Sequence, residues 1–179
     1  MDGISISKIT DSNELIGHSC GEPAIDQMIR SAFYSHLFRQ QDTYCIRFQG
    51  DVIGSYALSV KAIDFSACDE EIAEYYKNNL FFGVLYIPYL AVDTDMQGMG
   101  IGTAVLKLII RFAIEKASDV PVRCVLFDAL RRRVKFYQDC GFTVLSKDEL
   151  NSNSETVRMF FDLITEEDRS RIYSIAAGI

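Results

Sequence analysis

Gln97-Gly98-Met99-Gly100-Ile101-Gly102 sets three glycines at alternate positions, between an apolar run that ends at Val92 and another that begins at Ile101. The later run reads as a helix. Ile101, Val105, Leu108, Ile109 and Phe112 form one apolar stripe, and Lys107, Arg111 and Glu115 share the opposite face. A helix leaves its first N–H groups without intrahelical partners and carries about +0.5 of a charge at that end. Glycines in the preceding turn permit φ > 0 and remove the Cβ that would hold a ligand away from the backbone. The chemistry such a turn can do is to hold an anion, and a phosphate above all.

Two kinds of phosphate cradle are excluded. No Gly-Lys-Ser/Thr ending follows the turn, so the ATP-type loop with its Mg²⁺-binding hydroxyl is absent. The dinucleotide pattern G-x-G-x-x-G fails as well: counted from Gly98, the last glycine falls one residue early, at Gly102, and counted from Gly100 its place is held by Val105.

The rest of the chain supplies the elements that must position this turn. "ISISKI", residues 4–9, alternates as a strand, and Pro23 opens a helix of about four turns with Ile25, Met28, Ile29, Ala32 and Phe33 at helical spacing. "DTYCIRF" and "VIGSYALSV" flank Gln49-Gly50-Asp51 and read as an antiparallel hairpin. Residues 64–80, with Ile72, Tyr75 and Tyr76, read as a short helix at the sheet edge. "VLYIPYLAV" is a strand leading to the turn, "VRCVLFD" another, and "LRRRVKFYQDC" a helix ended by Gly141. "FTVL" and "TVRMFFDL" close the sheet, and Thr165–Asp168 resembles a capping box that starts a last helix. The expected architecture is a single α/β domain over residues 1–179, with a mixed, mostly antiparallel sheet flanked by helices.

Composition is that of an ordinary globular chain, 49% hydrophobic and 24% charged over 179 residues. No apolar run is long enough for a membrane span and the N-terminus has no signal-peptide character, so a cytoplasmic protein with no membrane partner is expected. Cys20, Cys45, Cys68, Cys124 and Cys140 form no CxxC pair and lie far from any His cluster, which predicts buried, reduced thiols and no metal. The net charge of -7 argues against generic nucleic-acid binding. Residues 107–135 nevertheless hold eight Lys or Arg against three acids, a local positive field suited to an anionic ligand. His18 and His36 receive no role and are expected at the surface or at an interface.

Gln97, Gly100 and Gly102 resemble the Q/R-x-x-G-x-G/A signature with which the GNAT acetyltransferase superfamily wraps the pyrophosphate of acetyl-CoA, and "FYQDCGF", residues 136–142, resembles that family's second signature, "FY…GF". The resemblance runs over roughly residues 4–163. It implies a GNAT fold with a bulged strand that splays from its neighbour to admit the cofactor, which gives Pro88 its place. It implies acetyl-CoA as cosubstrate, held by the backbone from Gln97 through Gly98, Met99, Gly100, Ile101 and Gly102 to Thr103. Leu90, Ala91 and Val92 are expected to pair with the pantetheine arm and to supply the N–H that meets the carbonyl oxygen. Leu130 and Arg133 stand where many relatives place Asn and Ala.

Acetyl transfer to an amine also needs a proton for the departing thiolate. Tyr137, the tyrosine of "FY…GF", is the expected general acid, since a phenol with pKa about 10 lies near a thiol at about 8.5. The alternative is that its ring packs beneath the sheet. For the general base Tyr86, Tyr89, Glu70, Glu71 and a bound water all stay open.

Residues 18–59 also resemble the toxin-type GNAT branch, through the C-G-x-x-x-(L/I)-D stretch at Cys20–Asp26 and "IGSYALS". Toxins of that branch acetylate the amino acid on aminoacyl-tRNA and are neutralised by a partner protein; for that reading Arg131, Arg132, Arg133 and Lys135 are candidate phosphate contacts. The acidic composition places a small-molecule or protein amine ahead of tRNA as acceptor. A homodimer and a non-catalytic acyl-CoA-binding module complete the expectations.

Overall fold

The computed structural model describes residues 3–64, 81–165, 167, 168 and 170. The helix expected over 64–80, with Glu70, Glu71 and Cys68, lies outside them apart from Asp64, as does most of the helix expected after Thr165. The chain divides into two compact units, Met1–Val60 with Tyr86–Ile109, and Lys61–Leu85 with Ile110–Ile179.

In the first unit β1 (Ile4–Lys8), β2 (Asp42–Phe48) and β3 (Asp51–Asp64, of which residues to Val60 belong here) pair antiparallel in sequence order. Gln49 and Gly50 join β2 to β3 with φ of 53° and 98°, the two left-handed residues of the tight hairpin turn that matches strand twist. Between β1 and β2 runs α1 (Pro23–Leu37), opened by Pro23 in its first turn as expected. Ile29 and Ala32 are its buried residues, and they join Ile9, Leu15, Cys45, Ala57, Tyr89 and Ala91 in one core.

The expected strand "VLYIPYLAV" is broken at Ile87–Tyr89 into β4 (Phe81–Tyr86) and β5 (Leu90–Val92). Pro88 has no N–H for a ladder and sits in the break. β5 pairs antiparallel with β3, Leu90 opposite Tyr56, Ala91 opposite Ser55 and Val92 opposite Gly54. At Gly54 the two strands approach so closely that an added Cβ would stand 2.4 Å from the Ala91 carbonyl oxygen.

α2 (Ile101–Ala117) follows the glycine turn as expected, but its buried stripe differs. Ile101, Val105, Ile109 and Ala113, at i+4 spacing, are buried together with Leu106, whereas Leu108 and Phe112 are 47% and 37% exposed. Each residue turns a helix by about 100°, so the small Ala113 takes the inner position and Phe112 lies one step round.

In the second unit the strand order is β4, β6 (Cys124–Leu130), β8 (Thr156–Asp162), β7 (Thr143–Val144). β8 lies antiparallel to both β6 and β7. The helix expected from Leu130 begins later, as α3 (Val134–Asp139), because Leu130 continues β6 opposite Thr156 and Arg131–Arg133 form a 3-10 turn. Gly141, φ 92°, follows its end. The short helix α4 (Lys147–Asn151), capped by the Ser146 hydroxyl, was not expected from the sequence. Thr165 and Asp168 exchange hydrogen bonds as a capping box: the Asp168 carboxylate accepts from the Thr165 N–H at 3.2 Å, and the Thr165 hydroxyl accepts from the Asp168 N–H at 3.1 Å.

The four described cysteines are free thiols, Cys45 and Cys124 buried and Cys20 and Cys140 half-buried. Among the described residues no helix is long and apolar enough to cross a membrane, and no group of His, Cys, Asp or Glu could hold a metal.

Candidate active site

The glycine turn lies wholly in the first unit. β5 ends at Val92, Thr94–Met96 form a 3-10 turn, Gln97 is extended, and Gly98 and Gly100 take φ of 80° and 78°. Those two left-handed residues swing the chain into α2, whose first helical bond joins the Ala104 N–H to the Gly100 carbonyl at 3.1 Å. The N–H groups of this first turn point out of the positive end of the helix, where an anion is favoured. An added Cβ at Gly98 would meet nothing within 4 Å, so the turn faces open space on that side, and Met99 is 60% exposed. Backbone donors around open space at a positive helix end fit a pyrophosphate.

β5 presents its groups in strict alternation. The Asp93 N–H donates to the Ile53 carbonyl at 3.0 Å and the Ala57 N–H donates to the Tyr89 carbonyl at 3.1 Å. Hydrogen-bonded pairs in an antiparallel ladder recur every second residue, so Ala91, opposite Ser55, also turns its N–H and carbonyl to β3. Leu90 and Val92 point theirs to the other edge. Of the three residues named from the sequence, Ala91 therefore has no N–H to offer a ligand, while the N–H groups of Leu90 and Val92 lie on that other edge, where the Val92 carbonyl accepts from Gln97 Nε2.

Gln97 is tied to protein. Its Nε2 donates to the Cys20 carbonyl at 2.9 Å and to the Val92 carbonyl at 3.0 Å, which uses both amide hydrogens, and its backbone N–H donates to the Thr94 carbonyl. A side chain so held cannot donate to a phosphate. His18, expected at a surface or interface, is instead half-buried with Nδ1 2.6 Å from the Asp93 carboxylate. His36 accepts from the Thr43 N–H at 3.4 Å and faces Asp42. Neither Asp93 nor Asp26 was singled out by its type, and a pairing between positions 18 and 93 leaves no local signal.

Tyr89, one of the open candidates for general base, belongs to the core. It is 3% exposed, its hydroxyl oxygen accepts from the Ser55 hydroxyl at 3.3 Å, and burial pushes it up to about 12. A phenol that is both shielded and this reluctant to ionise does not collect a proton from an amine. The Cys20 thiol is likewise pushed up to about 12, by burial first and then by Asp26, which removes it as a nucleophile.

Tyr137 lies in the second unit, on α3. Its ring packs on Phe127 with centroids 4.4 Å apart, with Phe136 at 5.0 Å and Phe142 at 6.4 Å. The ring is thus seated in an aromatic cluster, which fixes its position.

The basic segment 107–135 is less positive than its composition. Arg111 pairs with Glu115, Lys116 with Asp119, Arg123 with Asp162 and Lys135 with Asp139. Arg131, a candidate phosphate contact, donates instead to the carbonyls of Glu149, Leu150 and Ser154, each at 2.8 Å, and clamps the loop around α4. Its planar fork is satisfied by backbone and is not available to a ligand. Arg132 and Arg133 are exposed.

The acetyltransferase (GNAT) domain profile matches residues 39–144. A tRNA-acetylating toxin of Mycobacterium tuberculosis (strain ATCC 25618 / H37Rv) is 26% identical over 154 residues, covering 84% of this chain and 92% of that protein. The structure of AtaT complexed with acetyl-methionyl-tRNAfMet matches with a TM-score of 0.73 at 17% identity, over 95% of this chain and 99% of that one. A tyrosine-to-phenylalanine mutant of the AtaT toxin, bound to the C-terminus of the antitoxin AtaR and to acetyl-CoA, matches at 0.69 and 19% identity, over 90% and 94%. These structures share the fold: a mixed, mostly antiparallel sheet of eight described strands flanked by helices. With the family profile spanning more than half of the chain, the chain belongs to the GNAT acetyltransferases and is an acetyl-CoA-dependent acyltransferase.

Proposed function

We propose that the chain transfers the acetyl group of acetyl-CoA to the amino group of an amino acid carried on tRNA, by direct attack of the amine within a ternary complex. One observation carries the choice of acceptor. The alignment with the tRNA-acetylating toxin runs over 154 residues, more than the family segment 39–144 contains, and takes in nearly the whole of that protein. The resemblance of residues 18–59 to the toxin-type branch points to the same acceptor. The single domain over 1–179, a cytoplasmic location, a neutralising protein partner and a homodimer belong to the same reading.

The cosubstrate, when bound, supplies an acetyl thioester. The N–H groups from Gly98 to Thr103 hold its pyrophosphate at the positive end of α2. Leu90 and Val92 would pair with its amide arm along the edge of β5 away from β3, and one of their N–H groups would meet the carbonyl oxygen where charge develops. Tyr137 would give its phenolic proton to the sulfur as the C–S bond breaks and the C–N bond forms, and the proton lost by the amine nitrogen would pass to solvent water.

A second reading keeps a small cationic amine or a protein lysine as acceptor, because the net charge of -7 attracts cations and most cations of 107–135 are already engaged. The two separate in one assay. Acetyl-CoA is offered with a panel of aminoacyl-tRNAs, deacylated tRNA, lysine peptides and polyamines, and the amino acid freed from tRNA by mild base is weighed by mass spectrometry. The expected result is a gain of one acetyl group on the amino acid of charged tRNA, with no turnover on deacylated tRNA. Turnover on a polyamine or peptide with none on any charged tRNA would replace the proposal by the second reading.

A further inference from the structure

The Cys20–Asp26 stretch has so far no part in the chemistry, yet it makes a dense set of contacts. Asp26, in the first turn of α1, accepts from the Ser19 hydroxyl at 2.6 Å, the Cys20 N–H at 2.9 Å and the Cys20 thiol at 3.4 Å. These bonds fold residues 18–22 back onto the start of α1, and the Gly21 N–H donates to the Ser19 hydroxyl oxygen at 3.2 Å. The folded loop then turns its outer side to the segment between β5 and the glycines. The Ser19 carbonyl accepts from the Thr94 N–H at 3.1 Å, the Cys20 carbonyl accepts from Gln97 Nε2, and His18 meets Asp93. Gly21, φ 82°, leaves only 3.3 Å between an added Cβ and the Thr94 methyl. Gln97 closes the circuit by its second bond, back to the Val92 carbonyl.

Of the path that leads from β5 to the glycine turn, positions 92, 93, 94 and 97 are thus each fastened, three of them to a loop more than seventy residues earlier in the chain. A glycine-rich turn has little stiffness of its own, because each glycine has more conformations to lose than any other residue. Its shape must therefore be imposed from outside.

We infer that the His18–Asp26 loop is a brace for the acetyl-CoA turn, with Gln97 and Asp26 as positioning residues that preset the backbone N–H groups of Gly98–Thr103 without touching the ligand. This rests on the reading of that turn as the pyrophosphate site. It also assigns the glutamine of the signature a different task from the glycines: it shapes the cradle instead of lining it.

The test uses the full chain and acetyl-CoA binding by calorimetry, together with steady-state kinetics. Gln97→Met keeps the length of the side chain and removes both donors; Gln97→Arg keeps donors able to reach two carbonyls. Gln97→Met is expected to weaken acetyl-CoA binding about tenfold and to raise KM for it, with kcat changed far less, since two modest hydrogen bonds are lost. Gln97→Arg is expected to recover most of that loss. Asp26→Asn, combined with Gln97→Met, should cost little more than either change alone, because one brace is broken either way. Binding of Gln97→Met equal to the parent, or strictly additive losses in the double variant, would overturn the brace while leaving the cofactor site standing. Failure of the parent itself to bind acetyl-CoA would instead take down the reading of the turn, and the brace with it.

Discussion

Tyr137→Phe is expected to lower kcat for acetyl transfer by about 10²–10⁴-fold, the usual contribution of a positioned general acid, with KM for acetyl-CoA close to the parent value. The substitution removes one oxygen and keeps the ring, so the packing on Phe127, Phe136 and Phe142 survives and the thermal midpoint should stay within a degree or two of the parent on the scale of about 1 kcal/mol per several degrees. That combination separates the two expectations for this residue. A ring that serves only to pack would leave both kcat and stability unchanged, because phenylalanine packs as well. A loss of kcat with no loss of stability belongs to a hydroxyl engaged in the transition state. Steady-state kinetics on the acceptor that the panel assay selects, paired with a melting curve, decide between them.

The second large effect is at Gly54. A Cβ there would stand 2.4 Å from the Ala91 carbonyl oxygen and 3.0 Å from the Val92 Cα, both backbone atoms that cannot swing aside. Gly54→Ala must therefore push β5 off β3. Overpacking of this kind costs about 1–3 kcal/mol, and here the displaced strand is the one proposed to pair with the pantetheine arm. The expected outcome is a melting point lower by several degrees and acetyl-CoA binding weakened by at least about tenfold, the two losses arising together. Gly50→Ala serves as the control. Gly50 also has a positive φ but lies in the hairpin turn with no atom within 4 Å of an added Cβ, so it should lose some stability without losing cofactor affinity. Equal loss of affinity in both variants would show that β5 has no special part.

Local features of the sequence were legible where one residue type forces one conformation. Gln49-Gly50 announced the hairpin, Pro23 the start of α1, and Gly98 and Gly100 the turn into α2, whereas Pro88, expected to bulge one continuous strand, sits in the break before β5. Features that depend on a distant partner were not. Leu130 looks like the start of a helix until its pairing with Thr156 on β8 is seen. Leu108 and Phe112 fit an apolar stripe as well as Leu106 and Ala113 do, and only the packed structure selects between the two faces. The same holds for charge. Arg131 reads as a free cation beside two others, yet its donors are spent on carbonyls 18 to 23 residues further on. Gln97 reads as a ligand because of its company, and its amide is spent 77 residues back, on Cys20. Asp26 carried the one signal that could have been followed: a carboxylate in the first turn of a helix, just after a Cys-Gly pair, is well placed to fold back on the preceding N–H groups.

The central claim is that the backbone from Gly98 to Thr103 receives the pyrophosphate of acetyl-CoA. Backbone amide NMR shifts of the labelled chain, followed as acetyl-CoA is added, test it residue by residue. The account predicts that the largest and earliest shifts fall on the amides of Gly98–Thr103, joined by Leu90 and Val92, with Ala91 moving little because its N–H stays with β3. Saturable binding whose shifts avoid that turn would contradict it.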